Sequence, residues 1–195
     1  MSNVFVKQPF WKTWLSHLIE LRIEHVDSVY SEKLEIIYKK GRYALCTPNA
    51  VYSYDDLYFN FRESFLKLPL DKLPIKSVLV LGVGLGSIPL MLETIFDKQY
   101  EYTLVEIDPK VIELAKKYNL DHLKSPLNIV CSDALEYVTQ CTQQFDLIAV
   151  DLFIDDVVPS AFETIAFLEA LKQLIPEKGL LLYNRLTYNE KFKEK

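Results

Sequence analysis

Three of the five glycines in this chain of 195 residues, Gly82, Gly84 and Gly86, fall within five positions directly after the apolar run Ser77–Leu81. Glycine lets the backbone turn sharply and lets a ligand lie against it, and a helix starting just beyond presents unpaired N–H groups. The alternative is a tight turn with no ligand. The Gly-x-Gly-x-Gly spacing departs from the dinucleotide fingerprint, which turns the reading from NAD toward an adenosyl amino acid. Glu106 closes a second apolar run about twenty residues beyond this loop, where a carboxylate can accept both hydroxyl protons of a ribose. Asp108 competes for that duty, but its place before Pro109 suits a helix cap. Asp133, in Cys131-Ser132-Asp133-Ala134, could accept from an adenine amino group or cap the helix that follows. Asp151 ends the run Leu147–Val150, and Asp155 and Asp156 follow it closely with no basic residue between. Three like charges repel, and a cationic ligand would relieve them.

Such residues need a scaffold that brings strand ends together. From about residue 76 onward short apolar runs alternate with amphipathic stretches, the signature of βαβ units and a parallel sheet. Strands are predicted over 77–81, 101–107, 127–131, 145–151 and 180–184, with helices over 87–96, from Pro109, over 134–139 and over 161–174. In the helix from Pro109, Val111, Ile112, Leu114, Ala115 and Tyr118 share one face. The first third differs: 34–38 and 43–47 are β-like runs joined across Lys40 and Gly41, a hairpin signal. Residues 51–54 can add a strand, and 55–66 read as a helix leading through Pro69 and Pro74. The expected division is therefore an N-terminal hairpin region with its connecting helix, 1–70, and a nucleotide-binding core, 71–195.

Composition narrows the partners. With 27 acidic against 22 basic residues the chain lacks the broad positive field that phosphate-backbone binding draws on, so a small molecule is expected rather than nucleic acid. Cys46, Cys131 and Cys141 show no paired metal-ligand spacing, and His17, His25 and His122 lie apart; no metal is expected. No apolar run approaches the roughly 20 residues that span a bilayer, and the N-terminus lacks a secretory layout, which gives a cytoplasmic expectation without membrane attachment. Phe10, Trp11 and Trp14 are read as core or as a contact between copies in a homodimer. Residues 191–195 read as a solvated tail.

These residues resemble the spermidine synthase family, the polyamine aminopropyltransferases, and its class I S-adenosylmethionine-dependent methyltransferase relatives, over most of the chain. Val105-Glu106-Ile107-Asp108 followed by Val111-Ile112-Glu113-Leu114-Ala115 is similar to the family's second motif and helix. Phe145-Asp146-Leu147-Ile148-Ala149-Val150-Asp151 is similar to its catalytic strand, and Tyr52-Ser53-Tyr54-Asp55-Asp56 to the segment lining its amine pocket. The resemblance implies a Rossmann-like class I methyltransferase fold that binds S-adenosylmethionine or its decarboxylated form as donor. It implies Gly82, Gly84, Gly86, Glu106 and Asp133 as the donor site, Asp151 as the catalytic carboxylate and Tyr54 as an orienting group. Asp55, Asp155 and Asp156 would then face a small-molecule acceptor, with amines among the classes the resemblance admits.

Two departures bear on the reaction. The family's glycine run contains an acid where this chain has Leu85, so the carboxylate expected against an aminopropyl donor is missing. The family's strand ends in Asp-Ser-Ser-Asp-Pro, whereas here the run is Asp151-Leu152-Phe153-Ile154-Asp155-Asp156. Methyl transfer to a small cationic acceptor is the leading expectation. A true polyamine aminopropyltransferase is the alternative, and a non-catalytic nucleotide-binding or interaction protein the second. The chain also stops soon after Asn184, where the full fold has two more strands, so the C-terminal strands are expected to be absent.

Overall fold

Hydrophobic period decides the two halves of the molecule. The computed structural model describes residues 6–31, 33–154 and 157–185. A short helix α1 (Phe10–Leu15) precedes an antiparallel meander of β1 (Leu21–Val26), β2 (Leu34–Lys39), β3 (Arg42–Cys46) and β4 (Val51–Tyr54), in that spatial order. Lys40 and Gly41 both have positive φ, 51° and 70°, the mirror-image turn that suits the twist of a two-residue hairpin. Along β2 burial alternates, with Leu34, Ile36 and Tyr38 facing inward. β1 and α1 carry weaker patterns and were not expected from sequence. Phe10, Trp11 and Trp14 are exposed, so they do not join the core.

The helix expected over 55–66 starts later. Asp55 has φ +36° and Asp55–Leu57 form a single 3-10 turn; Tyr58 is extended, and only then does α2 (Phe59–Lys67) begin.

The remainder is β5 (Ser77–Leu81), α3 (Ser87–Thr94), β6 (Glu101–Glu106), α4 (Pro109–Tyr118), β7 (Leu127–Cys131), α5 (Ala134–Gln140), β8 (Leu147–Val150), α6 (Ile165–Gln173) and β9 (Leu180–Tyr183). The five strands pair in parallel in the order β7-β6-β5-β8-β9. β5 and β8 are nearly continuous apolar runs because both faces of the sheet are covered. Alternate residues serve opposite faces: Val78, Val80, Leu104 and Ala149 join one cluster, Leu79, Leu81, Ile148 and Val150 the other. A third cluster packs Leu34, Ile36, Tyr43 and Leu45 of the meander on Leu85, Val111, Leu114 and Tyr118. The meander is thereby seated beside the C-terminal ends of the parallel strands. Among the described residues no helix is long and apolar enough to cross a membrane. The tail at 191–195 lies outside the described residues.

Candidate functional site

The chain runs from β5 outward through β6 to β7, then crosses back to β8 on the other side, and this reversal opens a crevice at the strand ends. There Gly82 N–H donates to Val105 O at 2.9 Å and Asp151 N–H to Leu81 O at 2.8 Å, so the backbones after β5 and β8 stay in contact. Gly82 has φ +84°, and a Cβ on it would lie 2.9 Å from the Asp151 carbonyl carbon. Gly84 has φ +53°, and its Cβ would meet Ser53 Cβ at 2.7 Å. Only glycine fits between these neighbours.

The resulting cleft encloses about 330 Å³. Gly82, Val83 and Gly84 form its floor, Glu106 and Asp108 one wall, Ser132 and Asp133 the next, and Asp151 with Asn184 the opposite side; Tyr30, Tyr52, Tyr58 and Asn60 approach from the N-terminal region. Its described lining carries four carboxylates and no lysine, arginine or histidine. Such a site favours a cationic ligand.

Each carboxylate has a distinct setting. Glu106 accepts from the Val83 N–H at 2.9 Å and the Asp108 N–H at 3.2 Å, which ties the tip of β6 to the glycine loop. Burial raises its pKa against those backbone donors. Asp108 caps α4 by accepting from Lys110 N–H at 2.8 Å with Pro109 at the first helical position, while its Oδ2 is buried with no partner among the described residues. Asp133 caps α5, accepting from Leu135 N–H at 2.8 Å and Glu136 N–H at 3.1 Å, both on Oδ1. Replacing it with Ala is expected to cost about 1 kcal/mol, read as a lower melting temperature, with Asp133→Asn retaining most of it.

Asp151 stands first after β8. Tyr58 O–H donates to its Oδ1 at 3.1 Å and Asn184 Nδ2 donates to the same oxygen at 2.8 Å, so Oδ2 has no protein donor among the described residues. Burial, assisted by the charge of Glu106 and opposed by these two donors, pushes Asp151 up to about 7. Tyr58 is in turn pushed well above the usual phenol range by burial and by Asp151. A carboxylate so placed can take a proton near neutrality.

Gly82, Gly84, Glu106, Asp133 and Asp151 thus meet in one cleft; three other expected residues do not. Tyr54 O–H donates to Lys39 O at 3.2 Å and does not line the cleft; Tyr52, two residues earlier on β4, and Tyr58 reach it instead. Asp55 is fully buried, accepting from Tyr43 N–H at 2.7 Å and Asn119 Nδ2 at 2.9 Å, and desolvation pushes it up to about 6. It staples the meander to the core, while Asp56 is held by Arg42. Gly86 sits at the start of α3 with Leu120 against it and takes no part in the lining. Asp155 and Asp156 lie outside the described residues. Tyr58, Asn60 and Asn184 were missed from sequence.

A spermine/spermidine synthase domain model matches residues 59–191, which include every strand of the parallel sheet. This chain belongs to the spermine/spermidine synthase family. The polyamine aminopropyltransferase of Saccharolobus solfataricus is 30% identical over 183 residues, 87% of this chain and 60% of the relative. The eEF1A lysine and N-terminal methyltransferase homolog of Drosophila melanogaster is 30% identical over 124 residues, 59% of this chain and 18% of the relative. Human methyltransferase-like protein 13, solved in complex with SAH, superposes with a TM-score of 0.54 at 26% identity, covering 68% of this chain and 64% of that one. The relatives this chain matches are named for two different alkyl transfers, and this chain spans less than two thirds of the length of these curated relatives. Within the family's fold, Leu85 is fully buried against the meander and offers the cleft no charge.

Proposed function

We propose that this member of the family binds an adenosyl sulfonium donor, S-adenosylmethionine or its decarboxylated form, and transfers an alkyl group to a small cationic amine. The observation that carries it is Asp151, a carboxylate pushed up to about 7, facing a cleft whose lining is anionic. Gly82 and Gly84 let the donor lie on the loop backbone. Glu106 has lone pairs beyond those used by Val83 and Asp108 to accept from ribose hydroxyls. Asp133 keeps one carboxylate oxygen for the adenine amino group after capping α5 with the other.

A sulfonium supplies an activated carbon, so the C–S bond breaks as the C–N bond forms and the thioether leaves with the electron pair. The chain's part is to hold the partners in line and to take the amine's proton. An amine with pKa near ~10.4 lies about three units above neutrality, and exposing its lone pair costs roughly 4–5 kcal/mol. Asp151 Oδ2 attracts the ammonium first and then accepts its proton.

Methyl transfer is the leading form, because the buried Leu85 leaves no loop carboxylate to hold an aminopropyl ammonium. Aminopropyl transfer is the second reading, supported by the absence of any cation among the described lining residues to pair with the carboxylate of the intact donor. Consumption of each donor against a panel of amines separates the two, and no consumption of either would reject both. Since the base must be ionised, kcat is expected to rise with pH tenfold per unit below about 7 and to level above it. A profile flat from pH 5 to 9 would remove Asp151 from that role.

A further inference from the structure

Sheet register makes Asp151 and Asn184 neighbours. β8 and β9 pair in parallel with Val150 opposite Tyr183, and Asn184 N–H continues the ladder by donating to Val150 O at 2.9 Å. The first residues past the two strands therefore emerge side by side. Asn184 Nδ2 donates to Asp151 Oδ1 at 2.8 Å, and Asn60 Nδ2, from α2, donates to Asn184 Oδ1 at 3.1 Å. An amide has one accepting end and one donating end. With its oxygen engaged by Asn60, the Asn184 amide can present only its NH₂ group to the carboxylate.

We propose that Asn184 and Asn60 are positioning residues for Asp151: Asn60 fixes which way the Asn184 amide faces, and that amide holds the carboxylate by Oδ1 and leaves Oδ2 for the acceptor. This rests on Asp151 being the proton acceptor. Neither asparagine has to touch donor or acceptor. Hydrogen bonds to the anion favour it over the acid, and Asn184 and Tyr58 both act in that direction on Asp151. Among the described residues the ionisable groups facing Asp151 are Tyr58, at the start of α2, and Glu106, at the end of β6; Glu106 acts the opposite way.

The test is a carboxyl ¹³C NMR titration of Asp151, assigned by its loss in Asp151→Asn, together with the pH–rate profile. In Asn184→Ala the titration midpoint and the kinetic midpoint are expected to rise together by roughly one unit, the size expected of one hydrogen bond to a charged group. In this variant kcat should fall while the acceptor KM stays near wild type. Asn60→Ala should shift both midpoints the same way by less, because the freed amide can turn. An unmoved midpoint in Asn184→Ala overturns the proposal, as does a raised acceptor KM with unchanged kcat, which would make Asn184 a substrate contact. Asn60 is exposed, so if Asn184→Ala does not fold, Asn60→Ala decides on the same midpoint. A wild-type protein without turnover counts against alkyl transfer, while the NMR midpoint still reads the positioning.

Discussion

Asp151→Asn is expected to lower kcat for alkyl transfer about 10²- to 10⁴-fold while donor affinity stays within a few-fold of wild type. The substitution keeps the shape and the Oδ1 acceptor that Tyr58 and Asn184 use, and removes the proton acceptor. It should also stabilise the fold, by an effect of definite sign. Asp151 is pushed up to about 7 in the folded chain, above the roughly 3.9 of an unfolded aspartate. Between those values the folded state holds more protons than the unfolded one, so wild-type stability falls as pH rises from about 4 to about 7. A neutral side chain escapes that loss. The variant's melting temperature should exceed wild type at pH 8, and the difference should vanish toward pH 4. Turnover unchanged by the substitution, or a melting temperature lower at pH 8 than at pH 4 relative to wild type, would contradict the assignment.

Two donors, Tyr58 and Asn184, hold this base by Oδ1, and sequence showed only part of the arrangement around it. Gly82, Gly84, Glu106, Asp133 and Asp151 were legible because a parallel sheet delivers the residues after its strands to one edge, and short buried runs mark where strands end. Asn184 carried the same signal, as the residue after the last apolar run, and needed only the pairing of β8 with β9 to place it beside Asp151. Tyr58 was harder. Its place depends on where α2 begins, and the positive φ of Asp55 sets that start, a conformation an aspartate adopts only when its partners hold it. Those partners are Tyr43 and Asn119, distant in sequence, so Asp55 looked like a pocket acid when it is a buried staple. Local pattern gave the strands of the parallel sheet and the residues at their ends. Long-range hydrogen bonds to Asp55 hold the turn that precedes Tyr58, and local pattern does not show them.

Gly82→Ala tests the geometry on which both binding and chemistry depend. Two costs add at this position. With φ at +84° the backbone is in a region that disfavours a side chain by roughly 1–2 kcal/mol. The new Cβ would also press on the backbone of Asp151, with the carbonyl carbon 2.9 Å away, and overpacking of this kind typically costs about 1–3 kcal/mol. A flexible side chain could swing aside, but a peptide unit joined to β8 cannot. The strand tips must therefore part, carrying Asp151 away from Glu106 and opening the floor of the cleft. Stability is expected to fall by about 2–5 kcal/mol from these two terms, and donor affinity measured by calorimetry should drop at least about 100-fold, close to 3 kcal/mol. Gly86→Ala provides the contrast. Its obstacle is the Leu120 side chain, outside the cleft lining. It should therefore lose stability while the folded fraction binds donor with an affinity near wild type. Equal loss of donor affinity in the two variants would mean that the loop acts through overall stability and not through contact with the ligand.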